Sequence, residues 1–266
     1  MALSSRYPAG APTFAGVIRW LTGFLDIPAE TFEPGARFWE AATGSTRSAA
    51  RGDQLQFATL LPTDGDAFLR VQRVDSGSAG VHLDVHVADI TAGVRRAVDL
   101  DASIVADCGY VVMASPAGFV FCLVGHHGES VRPSPFEAES EGPSLVDQLT
   151  IDVPAQHFLA EVAFWSALTG YQQCSAARAE FEVLVRPPTI PLKLLLQRLG
   201  DDDPHSTARG HLDVACGDHV AAVAARHCKL GARLERTETY WTTLRDPAGL
   251  AYCLTARDPV SGLLNA

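Results

Sequence analysis

The chain has no excess of positive charge: its formal net charge is −10 over 266 residues, without a block of like charges. Sequence-independent nucleic-acid binding and docking on anionic membranes both need a basic face, so neither is expected. No apolar run reaches the length of a membrane span. Met1 to Pro12 carries one arginine and no apolar core of a secretion signal, so the expected location is the cytoplasm. The six cysteines (Cys108, Cys122, Cys174, Cys216, Cys228 and Cys253) include no Cys-x-x-Cys pair and no framework spacing. Reduced thiols are therefore expected. Also missing are a Gly-rich phosphate loop, a Walker sequence, Gly-x-Ser-x-Gly, His-Glu-x-x-His and a dinucleotide fingerprint. These absences remove the readily recognised nucleotide, serine-hydrolase and zinc-protease chemistries.

What is present is a well-cored chain, 47% hydrophobic, long enough for two domains of roughly 130 residues. Trp20 to Pro28 reads as a strand. Phe32 to Gly44 reads as a helix, with Pro34 in its first turn and Gly44 as its cap. Leu55–Leu61 and Phe68–Val74 read as a hairpin, and a second helix spans about Asp89 to Leu100 with Asp89 as N-cap. Three more strands, near Ile104–Cys108, Tyr110–Ala114 and Phe119–Val124, close this half. Helices and hairpins mixed in this way point to α+β.

The same order then returns. Leu25-Asp26-Ile27-Pro28 recurs as Ile151-Asp152-Val153-Pro154, and Phe38-Trp39…Thr43-Gly44 as Phe164-Trp165…Thr169-Gly170. Gln72-Arg73-Val74 recurs as Gln197-Arg198-Leu199. His82-Leu83-Asp84-Val85 recurs as His211-Leu212-Asp213-Val214. Pro116-Ala117-Gly118…Cys122-Leu123 recurs as Pro247-Ala248-Gly249…Cys253-Leu254. Five blocks in one order establish a duplication. The expected division is a flexible N-terminus at 1–14, a first domain at 15–124, a linker at 125–144 and a second domain at 145–266.

These blocks resemble the vicinal oxygen chelate superfamily of glyoxalases, bleomycin-resistance proteins and extradiol dioxygenases, in its actinobacterial glyoxalase-like branch. The resemblance implies tandem domains, each of two βαβββ units forming a half-open curved sheet with helices outside and a concave cleft inside. The domains are expected to pair as an internal pseudo-dimer, with a further homodimer left open. The period of two along a strand turns Leu83, Val85 and Val87 toward a helix, and His82, Asp84 and His86 toward the cleft. Trp39 and Trp165 are expected in the core. Asp26 and Asp152 read as loop-capping residues, and His126-His127 as a solvated linker tract.

Superfamily enzymes hold a divalent metal as a Lewis acid on substrate oxygens, with His, Gln and Glu ligands. Carried over by position, the first half offers Thr22, Gln72, His82 and Cys122. The second offers Gln148, Gln197, His211 and Cys253. Cysteine stands where glutamate is usual, and a hard divalent ion prefers oxygen and imidazole donors. No metal or other cofactor is therefore expected; Gln148, Gln197 and His211 are the remaining metal candidates. The expected ligand-binding cleft is lined by His82, Asp84, Gln72, Cys122 and Tyr110 in the first half. In the second it is lined by His211, Asp213, Gln197, Cys253 and Trp241. The leading reading is a binding protein for a small organic molecule, of the bleomycin-resistance type. The alternatives are a metal-dependent lyase, isomerase or dioxygenase acting on an oxygenated metabolite, and a non-catalytic regulatory or interaction module.

Overall fold

The computed structural model describes residues 18–75, 77–138, 141–176 and 178–264. The expected flexible N-terminus, 1–14, lies outside them. The first half runs β1 (Ile18–Pro28), α1 (Phe32–Thr43), β2 (Thr46–Arg47), β3 (Phe57–Leu61), β4 (Leu69–Val74), then β5 (Gly80–Val87), α2 (Ile90–Asp99), β6 (Ser103–Asp107), β7 (Val111–Ala114) and β8 (Val120–Gly125). A short β9 (Phe136–Ala138) follows. The second half runs β10 (Gly142–Val153), α3 (Phe158–Thr169), β11 (Gln172–Ser175), β12 (Phe181–Val185), β13 (Lys193–Arg198), β14 (Arg209–Ala215), α4 (Val220–Lys229), β15 (Arg233–Thr237), β16 (Trp241–Arg245) and β17 (Ala251–Thr255).

Each half is therefore two βαβββ units in one open sheet. The strand orders are β2-β3-β4-β1-β5-β8-β7-β6 and β11-β12-β13-β10-β14-β17-β16-β15. In each, the middle four strands come from the first and last strands of the two units. β1 runs parallel to β4 and antiparallel to β5, and β10 does the same with β13 and β14. The segment 125–144, read from sequence as a linker, carries β9 and the start of β10, which pair antiparallel.

Local signals set the helix ends. The Asp89 carboxylate accepts from Ala92 N at 2.9 Å, a side-chain N-cap on α2. Gly44 (φ 63°) and Gly170 (φ 70°) close α1 and α3 in the left-handed conformation, where a side chain is strained. A Cβ on Gly44 would also lie 2.1 Å from the Phe136 ring.

The halves pack through their apolar sheet faces and through α1 and α3. Each of these helices lays its aromatic pair on the other half. Phe38 and Trp39 meet Tyr252 at 5.8 and 5.2 Å between centroids, and Phe164 and Trp165 meet Phe121 at 5.8 and 5.2 Å. Trp39 and Trp165 are fully buried, as the amphipathic pattern implies. A carboxylate sits under each indole, but from opposite sides. Trp39 Nε1 donates to Asp246 on the β16–β17 turn, whereas Trp165 Nε1 donates to Glu161 of its own helix, which also accepts from Ala117 N on the β7–β8 turn. A crevice between the halves, lined by Trp39, Phe68, Phe136 and His227, holds about 30 Å³, room for one water. It lies away from both concave faces. Among the described residues, no helix is long and apolar enough to cross a membrane.

Candidate functional site

The strand pairing places the candidate residues of each half side by side on the concave face. Thr22, Asp84 and Cys122 form one row across β1, β5 and β8, and Phe24 lies opposite His82 in the next. In the second half Gln148, Asp213 and Cys253 form the matching row, with Thr150 opposite His211. Gln72 is registered with Asp26 and Gln197 with Asp152, at one end of these rows.

In the first half, His82 Nδ1–H donates to Asp26 Oδ2 at 2.7 Å, and its Nε2 lies 3.8 Å from Asp84 Oδ1. The Phe24 ring stacks on the imidazole at 4.6 Å and 11°. Burial opposes the charged ring, but the Asp26 hydrogen bond and the charges of Asp26 and Asp84 outweigh it and raise the His82 pKa. Asp84 is 5% exposed, with Arg70 at 3.6 Å. Its pKa is raised because burial outweighs His82 and Arg70. Burial, together with the Asp84 charge, pushes the Cys122 thiol far up. Such a thiol is protonated and is a poor nucleophile. Tyr110 is near enough for Asp84 and Cys122 to add to the burial that raises its own pKa.

The second half repeats the histidine–aspartate pair with a more polar floor. His211 Nδ1 lies 3.1 Å from Asp152 Oδ2 and its Nε2 3.5 Å from Asp213 Oδ1. Burial again opposes the charge, and Asp152, with help from Cys253, raises the His211 pKa well above its ordinary value. Asp213 Oδ2 accepts from Gln148 at 2.5 Å and from Thr150 at 2.8 Å. Arg257 pairs with the buried Asp147 at 2.5 Å and reaches within 3.9 Å of Asp213.

A roof crosses this second cleft. Phe181 on β12 and Trp241 on β16 are separated in the sheet by β13, β10, β14 and β17. In a flat sheet, five strand spacings are roughly 24 Å. Their ring centroids are 6.2 Å apart, edge to face, so the sheet curls until the two rings meet. The Arg178 guanidinium lies 5.2 Å from the Trp241 ring and 5.9 Å from that of Phe181.

Several sequence expectations need correction. Asp26 and Asp152 do not cap loops; they hold the cleft histidines. Asp84, expected to line the cleft, is buried there beside Arg70, His82 and Cys122. His126 is not a free linker histidine: its Nδ1 lies 3.2 Å from Glu129, and its ring is 6.3 Å from that of His86. Sequence reasoning also missed Arg70, Arg257, Asp147, Phe181 and Glu129. The first four come from strands or loops remote in sequence from the motifs they serve; Glu129 lies three residues from His126. The one available signal was alternation, which already puts Arg70 with Gln72 and Phe24 with Asp26 on one strand face.

A family model described as a glyoxalase-like domain matches residues 24–124 and again 148–255. The chain belongs to the glyoxalase-like domain family. Each match takes in one cleft of the tandem glyoxalase-like pair. Among solved structures, a variant of 4-hydroxymandelate synthase from Streptomyces coelicolor aligns with TM-score 0.58 and 14% identity, over 91% of this chain and 94% of that one. The Mn(II)-bound glyoxalase from Novosphingobium aromaticivorans aligns with TM-score 0.61 and 14% identity, over 90% and 82%. The 2,2',3-trihydroxybiphenyl 1,2-dioxygenase from Sphingomonas wittichii aligns with TM-score 0.57 and 14% identity, over 90% of each chain. At such identity these show the shared tandem fold. No curated protein sequence matches the chain significantly.

The family-implied metal can be tested against the side chains of these glyoxalase-like domains. At the carried-over positions of the first half, Thr22 is bonded to His86, His82 is bonded to Asp26 and stacked by Phe24, and Arg70 already neutralises Asp84. In the second half, Gln148 turns its amide N–H toward Asp213. These residues do not fit a hard divalent ion held by His, Gln and Glu. What they offer is an imidazole held at Nδ1 by a carboxylate that raises its pKa.

Proposed function

We propose that this protein binds a small, oxygenated, aromatic organic molecule in the second-half cleft, without the usual metal of the fold. The observation that carries the reading is the Phe181–Trp241 bridge over the His211–Asp213–Cys253 floor. Half-buried aromatic rings with a guanidinium over them suit a flat ligand. A protonated His211 below them suits an oxygen of partial or full negative charge. The first cleft has Phe24 packed on His82 where the second has the smaller Thr150, so it leaves less room above its histidine.

The test is a thermal-shift and calorimetric screen with aromatic carboxylates, phenols and aromatic antibiotics, on the native chain and on Trp241→Ala. A ligand at 100 times its Kd stabilises by about 2.7 kcal/mol and raises the midpoint by several degrees. Trp241→Ala should remove that shift. A screen with no hit, or a hit indifferent to Trp241→Ala and His211→Ala alike, would sink the reading.

One observation favours a metal-dependent alternative. In each half a His, an Asp and a Cys place a donor atom within 4.8 Å of one another, a set that suits softer ions. Metal analysis after Zn, Ni, Mn or Fe supplementation, compared with His211→Ala, separates the two readings.

A further inference from the structure

A second cluster lies beyond the concave rows, at the far end of β5. His86 is 1% exposed, and its ring is held at one nitrogen only: Nε2 lies 2.9 Å from Thr22 Oγ1. Its Nδ1 is buried and has no hydrogen-bond partner among the described residues. That atom faces Glu129 Oε2 at 3.8 Å, and His126 Nδ1 lies 3.2 Å from the same oxygen. His126 Nδ1 is likewise buried and outside hydrogen-bonding geometry. Donor atoms of all three residues fall within 4.8 Å of one another.

The backbone builds this cluster. His126 follows β8, and its N–H bonds Val87 O at 3.1 Å, pinning it beside the end of β5. Glu129 is folded back by the chain itself, its Oε2 accepting from His127 N at 3.1 Å. The following residues are anchored through Asp66, which accepts from Ser130 N and Val131 N at 2.7 and 2.8 Å.

We propose that His86, His126 and Glu129 form a binding site for a borderline divalent transition ion such as Zn²⁺ or Co²⁺, at a place distinct from the metal position implied by the fold. When His86 donates Nε2–H to Thr22, its Nδ1 lone pair points at a carboxylate and another imidazole. Three such donors facing one another are mutually repulsive unless a proton or a cation lies between them, and a cation satisfies all three at once. An ion bound at about 2.0–2.2 Å places its ligands roughly 3–3.5 Å apart, close to the spacings seen. Thr22 then supplies the second hydrogen bond that orients a ligating histidine. His126 and Glu129 keep part of their side chains exposed, 23% and 18%, so an ion could enter from solvent and hold water in the remaining positions.

The repeat strengthens the argument by contrast. At the equivalent positions the second half has Ala215 for His86 and Arg257 for His126. There the Arg257 guanidinium sits against the Asp147 carboxylate as a built-in cation. Among the described residues, the first half has no guanidinium paired with Glu129: Arg70, the nearby cation whose charge reaches His86, pairs with Asp84 instead.

The test is titration of the full chain, freed of metal by chelation, with Co²⁺ followed by absorption and with Zn²⁺ followed by calorimetry. One equivalent should bind with perturbed ligand-field bands. Binding should weaken by about tenfold or more in His126→Ala and in Glu129→Gln, and persist in Cys122→Ala and Cys253→Ala. Nitrogen NMR of His86 should show Nδ1 shift on adding Zn²⁺ while Nε2 keeps its proton. Both substituted residues are partly exposed, and an unchanged melting midpoint in the metal-free state confirms that the variants are folded. No binding, or binding that survives the His126→Ala/Glu129→Gln double variant, overturns the proposal. So does binding abolished by Cys253→Ala instead.

Discussion

The Trp39 indole Nε1 donates to Asp246 Oδ2 at 2.8 Å, joining α1 of the first half to the last hairpin of the second. Asp246 is nearly buried, and its other oxygen accepts from Ala248 N and Leu250 N at 2.8 and 2.9 Å. One carboxylate therefore shapes the turn and locks the helix to it.

Asp246→Ala should destabilise the chain by about 2–4 kcal/mol, because it strands a buried indole N–H and two turn amides. Asp246→Asn should cost less, since an amide oxygen still accepts. Urea unfolding of the two variants checks this; equal losses would show that the hydrogen bonds to Asp246 contribute little.

Gly35 occupies the position in α1 that corresponds to Glu161 in α3. A Cβ there would lie 2.9 Å from Ala248 Cβ and 3.1 Å from Ile27 Cδ1. Gly35→Ala should therefore cost about 1–3 kcal/mol through overpacking, despite alanine's better helix propensity. A gain in melting midpoint would show that α1 can shift away from the second half freely.

The cleft histidines make stability fall as pH rises. His82 and His211 have folded pKa values above their ordinary 6.5. Their contribution is complete below the unfolded value and is lost as pH climbs through the folded one, with a slope up to about 1.4 kcal/mol per pH unit for each group. Asp152→Asn should bring the His211 titration, read by NMR, down toward or below 6.5 and flatten this limb. An unmoved titration would place the source of the shift elsewhere.

His227 works in the other direction. Burial, reinforced by Arg226, lowers its pKa to about 3, and its Nδ1 lies 2.9 Å from the Tyr252 hydroxyl. The folded state keeps it neutral, so stability declines as pH falls from 6.5 toward 3. His227→Gln should shallow the acid limb measured by denaturant melts between pH 6 and 4, whatever it does to stability at neutral pH.

The candidate site was legible in part, and the parts divide cleanly. Alternation along β5 put His82, Asp84 and His86 on one face, and the structure keeps them there, because side-chain direction in a strand is local geometry. Their partners were another matter. Asp26 looked like a loop residue because its motif, Asp-Ile-Pro, is a strand end; only the antiparallel register of β1 with β5 brings it to His82. His126 looked solvated because its neighbours in sequence are polar, yet pairing beside Val87 sets it against His86. The Phe181–Trp241 contact depends on the curl of an entire sheet, which no short stretch encodes.

By itself, the sequence determined the duplication, the α+β units, the two buried tryptophans and the side of β5 that looks into a cleft. These follow from periods of two and of about 3.6 residues and from blocks repeated in order, all of them local. The tertiary structure alone decided which charges meet: Asp26 with His82, Arg70 with Asp84, Arg257 with Asp147, and Glu129 with two histidines. Apart from Glu129 with His126, three residues away, those pairings rest on register, strand order and sheet curvature within each half and not on the neighbours of any one residue.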